Sequence, residues 1–85
     1  MEVIDFYRLS RRITDQIAPK ISPNYRPIVR EAAGAGAWDL AITTLVGALS
    51  EEDVVITTAE KDALRELMEH LREPLTRLEQ IRTSN

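Results

Sequence analysis

Two prolines and a pair of glycines cut this chain into short helical segments, and that punctuation limits its fold more than any other feature. Pro19 disfavours helical backbone at Ala18, and Pro74 interrupts the last apolar stripe. Between them, Gly34-Ala35-Gly36 offers a left-handed helix stop at no steric penalty. In the segments so defined, apolar residues recur every three or four positions. No stretch alternates with period two for long enough to read as a strand.

The first helix is expected over residues 2–18, with Val3, Phe6, Leu9, Ile13 and Ile17 on its buried face. Arg8, Arg11, Arg12 and Asp15 fall mainly on the other side. Asn24 is the expected N-cap of the second helix, because it places Pro27 in the first turn, where a missing N–H loses no helical partner. A start at Ser22 with Pro23 at N1 is the rival. The second helix should run to about Ala33 and stop at the glycines.

A third helix over 37–51 gathers Trp38, Ala41, Ile42, Leu45, Ala48 and Leu49 on one arc, flanked by Val46. Asp39, Thr43, Gly47 and Ser50 lie opposite, with Leu40 and Thr44 nearby. Val54-Val55-Ile56 reads as an extended link, and Thr57 with Glu60 as a capping box opening a fourth helix. That helix buries Leu64, Leu67, Met68 and Leu71. Beyond Pro74, Leu75, Leu78 and Ile81 fit either a short fifth helix or a bent continuation. The expectation is an all-α fold: residues 1–85 form a single domain, a compact bundle of four or five short helices with mainly antiparallel neighbours.

The chain is poor in catalytic parts. It has no cysteine, which excludes disulfides, thiolate metal sites and cysteine catalysis. His70, the sole histidine, falls at the edge of an apolar arc and reads as structural. No second histidine stands near it, and Glu66 or Glu69 would give too few committed metal ligands. Gly34-Ala35-Gly36 lacks the lysine and the preceding strand of a phosphate loop. We therefore expect no enzymatic activity, no cofactor and no metal. Apolar runs fall short of the ~18 residues that span a bilayer, and residues 1–12 have no apolar core of a secretory signal. A soluble, cytoplasmic protein without membrane contact is expected.

Charge directs attention to the second half. Residues 1–42 carry six bases and five acids, whereas residues 43–85 carry five bases and nine acids. Arg8, Arg11, Arg12, Lys20, Arg26 and Arg30 could form a basic patch, but Asp5, Asp15 and Glu31 interrupt it and the net charge is −3. Nucleic acid is therefore not an expected partner. What remains is work done by a surface. The candidate partner-binding residues are Asp39, Leu40 and Thr43 on the outward arc of the third helix, with Glu51, Glu52 and Asp53 at its end. The small residues of the stripe Asp39, Thr43, Gly47, Ser50 would let a partner's backbone approach, or relieve crowding against another helix of the same chain. Tyr7 and Tyr25 have the chemistry of interface residues.

Residues 28–71 resemble the small helical immunity proteins of contact-dependent and polymorphic toxin systems. The residues that carry the likeness are Gly36, Trp38-Asp39, Leu40-Ala41, Leu45, Glu51-Glu52-Asp53, Ile56-Thr57 and Glu60. The resemblance implies a noncatalytic inhibitor that binds the C-terminal domain of a cognate toxin in the bacterial cytoplasm. Such toxins are commonly nucleases with cationic clefts, into which an acidic helix end would fit as a phosphate mimic. The competing reading is a helical scaffold, since residues 36–45, with their glycine, aromatic and alanine, also resemble the first helix of a tetratricopeptide-like pair. A homodimer through the Leu40 arc would suit that alternative.

Overall fold

The computed structural model describes residues 1–84 and is all-α apart from one very short ladder. Five α-helices follow one another: α1 (Val3–Ile17), α2 (Arg26–Gly34), α3 (Trp38–Glu51), α4 (Thr58–His70) and α5 (Thr76–Glu79). A 3-10 turn, Ala18–Lys20, follows α1 at the point where Pro19 disfavours further α-helix. Two extended pairs, β1 (Ile56–Thr57) and β2 (Thr83–Ser84), run parallel with Ile56 opposite Thr83 and Thr57 opposite Ser84. The sequence carries no sign of this ladder, because neither segment alternates and the two are far apart along the chain. The segment beyond Pro74 is thus a separate short helix, not a bent continuation of α4.

Three of the helices stop in the same way. After α2, the N–H of Gly36 donates to the Ala33 carbonyl (3.0 Å) and that of Ala37 to Ala32 (2.9 Å). This is a Schellman motif, and Gly36 takes its left-handed position with φ 76°. After α3, Asp53 donates to Ser50 (3.3 Å) and Val54 to Leu49 (3.0 Å). After α4, Arg72 donates to Glu69 (3.1 Å) and Glu73 to Met68 (2.9 Å). Asp53 (φ 52°) and Arg72 (φ 58°) occupy the left-handed position without being glycine. Pro74 therefore follows a stop already made at Arg72.

The second helix begins later than expected. Its N-cap is Tyr25, not Asn24, and makes no side-chain cap. The chain first closes a turn in which Tyr25 and Arg26 both donate to the Ser22 carbonyl (3.1 and 3.0 Å). The guanidinium of Arg26 then binds the carbonyls of Ala18, Pro19 and Ile21, so this arginine ties the 3-10 turn to α2. Pro27 still falls in the first turn, at no backbone penalty.

The core is continuous across all five helices. α2 packs on α3 and α1 on α4, while α3 also touches α1, α4 and α5. Every residue expected on the inner arc of α3 is buried: Trp38, Ala41, Ile42, Leu45, Val46, Ala48 and Leu49. Leu64, Leu67, Met68, Leu78 and Ile81 close the other side, with Leu71 and Leu75 partly buried. On α1, Phe6, Ile13 and Ile17 are buried, but Val3 is 59% exposed. The apolar stripe of α1 thus extends one turn beyond the surface that covers it. His70 stacks on Phe6, their rings 4.5 Å apart and inclined by 23°, which accounts for its place beside the core.

The capping box at Thr57 is complete, and Glu60 does more than cap. The Glu60 N–H donates to Thr57 Oγ1 (3.0 Å), and Glu60 Oε1 accepts from the Thr57 N–H (2.8 Å). The same carboxylate accepts from Lys20 Nζ (2.9 Å) and Gln16 Nε2 (2.8 Å), yet the residue is only 2% exposed. Burial alone would raise its pKa. The donors from Thr57, Lys20 and Gln16 outweigh burial and hold it below the ordinary glutamate value.

Candidate functional site

The outward arc of α3 carries the candidate residues, and helix geometry separates them into two groups. Asp39 and Leu40 lie in the first turn, and Glu51 lies ~18 Å further along the axis. Asp39 is exposed, and Leu40 is 52% exposed although it is a large apolar side chain. Thr43 turns its hydroxyl back on the helix, donating to the carbonyls of Asp39 (2.8 Å) and Leu40 (3.3 Å). Its proton is thus committed to the helix, and the hydroxyl oxygen is left to accept.

Each of the three acids at the far end is held by a residue of another segment. Glu51 accepts a hydrogen bond from the Tyr25 hydroxyl. That bond, together with partial burial and the nearby negative charge of Glu51, raises the Tyr25 pKa above the ordinary phenol value. Glu52 Oε1 accepts from the backbone N–H of Ser22 (2.9 Å). Hydrogen bonding from Ser22 keeps the Glu52 carboxyl below its ordinary value, so it remains ionised. Asp53 takes two parallel bonds from Arg82, at 3.0 Å from Nε and 2.8 Å from Nη2. All three carboxylates stay outside the core: Glu51 and Asp53 are exposed and Glu52 is half-buried.

This arrangement changes the electrostatic reading. Three consecutive acids suggest a local charge of −3, but Arg82 neutralises Asp53. Arg77 also stands beside Glu51, where α5 crosses α3. Between them lies a shallow depression of about 340 Å3, lined by Tyr25, Thr43, Thr44, Gly47, Glu51 and Arg77. Gly47 lies within it, and a Cβ added there would meet Arg77 Nη1 at 3.0 Å. Ser50 Oγ donates to Gln80 Oε1 (3.2 Å). The stripe is therefore approached from Thr43 downward by α5 of the same chain, and Asp39 alone stands clear of it.

The structure brings Thr43 and Glu51 to one depression, places Asp39 and Leu40 beyond its upper end, and turns Glu52 and Asp53 towards their own partners. Arg77 is the lining residue that sequence reasoning missed. No local pattern marks it, because its position depends on how α5 returns to α3. Tyr25, expected only to have the chemistry of an interface residue, donates a hydrogen bond to Glu51 that the sequence does not announce. Among the described residues, no group of three or more His, Cys, Asp or Glu side chains could hold a metal ion. No described helix is long and apolar enough to cross a membrane. The chain matches no protein-family model, no curated protein and no solved structure.

Proposed function

We propose that this chain is a noncatalytic inhibitor that binds and neutralises the C-terminal domain of a cognate protein toxin through the outward arc of α3. The observation that carries the reading is the state of that arc: an exposed Leu40 at one end and, at the other, Glu51 hydrogen-bonded to Tyr25 in a depression bordered by Arg77. A partner meeting such a surface finds a side chain already oriented, so less conformational entropy is lost on binding. The carboxylates of Glu51 and Glu52, neither of them in an ion pair among the described residues, would speed encounter with a cationic cleft, and buried contact with Leu40 would lengthen the lifetime of the complex. The likeness of residues 28–71 to helical immunity proteins favours a toxin as that partner.

The test is co-expression with the protein encoded immediately upstream, read as co-purification and as rescue of growth. The double variant Leu40→Glu/Glu51→Lys is expected to weaken the complex by about tenfold or more and to lose rescue. Its circular dichroism should remain that of the parent, since both residues are exposed. Unchanged affinity would remove this face from the proposal, and failure to bind or rescue would remove the toxin. The 52% exposure of Leu40 also favours a second reading, a scaffold that self-associates through the same arc. A concentration-dependent dimer mass that Leu40→Glu abolishes would select it.

A further inference from the structure

A second surface lies at the start of α3, with chemistry opposite in sign to its acidic end. Ile4, Tyr7, Arg8 and Arg11 follow the spacing that aligns side chains along one face of α1. With Gly36 and Trp38 they line a groove of about 450 Å3, within the ~300–1,000 Å3 of typical binding pockets. Ile4 and Tyr7 are exposed, as are Met1 and Val3 beside them. Arg8 and Arg11 make no ion pair or hydrogen bond with any other described residue. No carboxylate lines the groove.

We propose that this groove docks an acidic segment of a protein partner bearing a large apolar side chain. The apolar side chain packs among Ile4, Tyr7 and Trp38, and the flanking carboxylates pair with Arg8 and Arg11. Charge selects this occupant over the others that an exposed apolar stripe admits. A second copy apposed along the same stripe would bring the Arg8 and Arg11 guanidiniums of both chains together with no lining carboxylate to offset them. A broad anionic lipid surface would also cover the exposed carboxylates of Glu2 and Asp5, which lie outside the groove that a narrow segment would enter. A concave site with two free cations suits a narrow acidic segment. This groove shares no lining residue with the α3 arc, so the inference stands or falls independently of the toxin reading.

Trp38 is the chain's single tryptophan and lines the groove, so its fluorescence reports occupancy directly. The probe is a synthetic peptide rich in Glu and Asp around a central Leu-Phe pair. Its titration is compared with that of the Gln/Asn version of the same peptide. A saturable change in Trp38 emission is expected, at least about tenfold weaker for the neutral peptide and weakened by added salt. Arg8→Glu/Arg11→Glu should abolish binding of the acidic peptide, and Tyr7→Ser should weaken it. Leu40→Glu/Glu51→Lys should leave it unchanged. Circular dichroism identifies any variant that fails to fold, and Arg8→Gln/Arg11→Gln then replaces the charge reversal. Equal binding of both peptides, no response to either, or indifference to loss of the arginines overturns the proposal. So does a Tyr7-dependent dimer in sedimentation, or a Trp38 response to phosphatidylserine vesicles without one to the acidic peptide.

Discussion

Glu60 shows how one side chain can cap a helix and join two others. Its carboxylate sits where α1, the 3-10 turn and α4 meet, and its buried charge is tolerable because three donors converge on it. Its pKa lies below the ordinary value when folded, so it contributes stability above the ordinary carboxylate range and loses it as pH falls through the lowered value. Lys20→Met should therefore cost about 1 kcal/mol at pH 7, discounted because Lys20 is 37% exposed. The deficit should shrink as acidification protonates Glu60, which urea unfolding at a series of pH values would measure. A deficit that stays constant through the carboxylate range would mean that the Lys20–Glu60 pair is not its source. Ser10 and Thr14 present the opposite case. Both are buried on α1, one turn apart, and neither hydroxyl has a hydrogen-bond partner. Replacing a buried polar group that makes no hydrogen bond to the protein should stabilise the fold, so Ser10→Ala and Thr14→Val are each expected to add about 0.5–1 kcal/mol. A loss in thermal or urea unfolding would show that the hydroxyls are satisfied after all.

Helix ends separate what local sequence records from what it does not. The inner arc of α3 was legible residue by residue, because burial follows a 3.6-residue period that neighbouring elements do not alter. The stop at Gly36 was legible because glycine announces the left-handed position. The end of α3 at Glu51 was legible too, but the left-handed residues that close α3 and α4, Asp53 and Arg72, were not, since neither favours that backbone unaided. Arginine is held there at φ 58° by the two bonds that close the motif. Glycine would remove the steric penalty of Cβ, worth about 1 kcal/mol after its greater unfolded-state entropy is counted. Arg72→Gly should therefore raise the unfolding free energy by about 0.5–1 kcal/mol in urea titration. Asp53→Gly should gain less, because it also removes the surface pair with Arg82. If Arg72→Gly proved destabilising, the arginine side chain would have to contribute packing that its exposed position does not suggest.

At the scale of the molecule, the candidate site was legible as a list of residues but not as an arrangement. Helical period alone turns Asp39, Leu40 and Thr43 outward. The fate of Glu51, Glu52 and Asp53 depends on Tyr25, Ser22 and Arg82, which only the folded chain brings to the end of α3. The last of these belongs to a C-terminal strap. Arg82 binds Asp53 with its side chain, and its carbonyl accepts the N–H of Ile56, a residue with no exposed surface. Lys61 Nζ holds the same strap from α4 through the carbonyls of Glu79 (3.3 Å) and Ile81 (2.8 Å). The strap thus fixes the link between α3 and α4, and with it the orientation of Asp53. Arg82→Ala removes only an exposed ion pair and should cost less than about 1 kcal/mol. Ending the chain after Ile81 also removes the Arg82 carbonyl and β2, leaving the Ile56 N–H without its acceptor. That truncation should cost about 1–3 kcal/mol in urea unfolding. In amide exchange, Ile56 should lose protection while the centre of α3 keeps its own relative to global unfolding. If the truncated chain matched Arg82→Ala in both measurements, the backbone pairing of the strap would contribute nothing, and the carboxylates would owe their orientation to Tyr25, Ser22 and Arg82 alone.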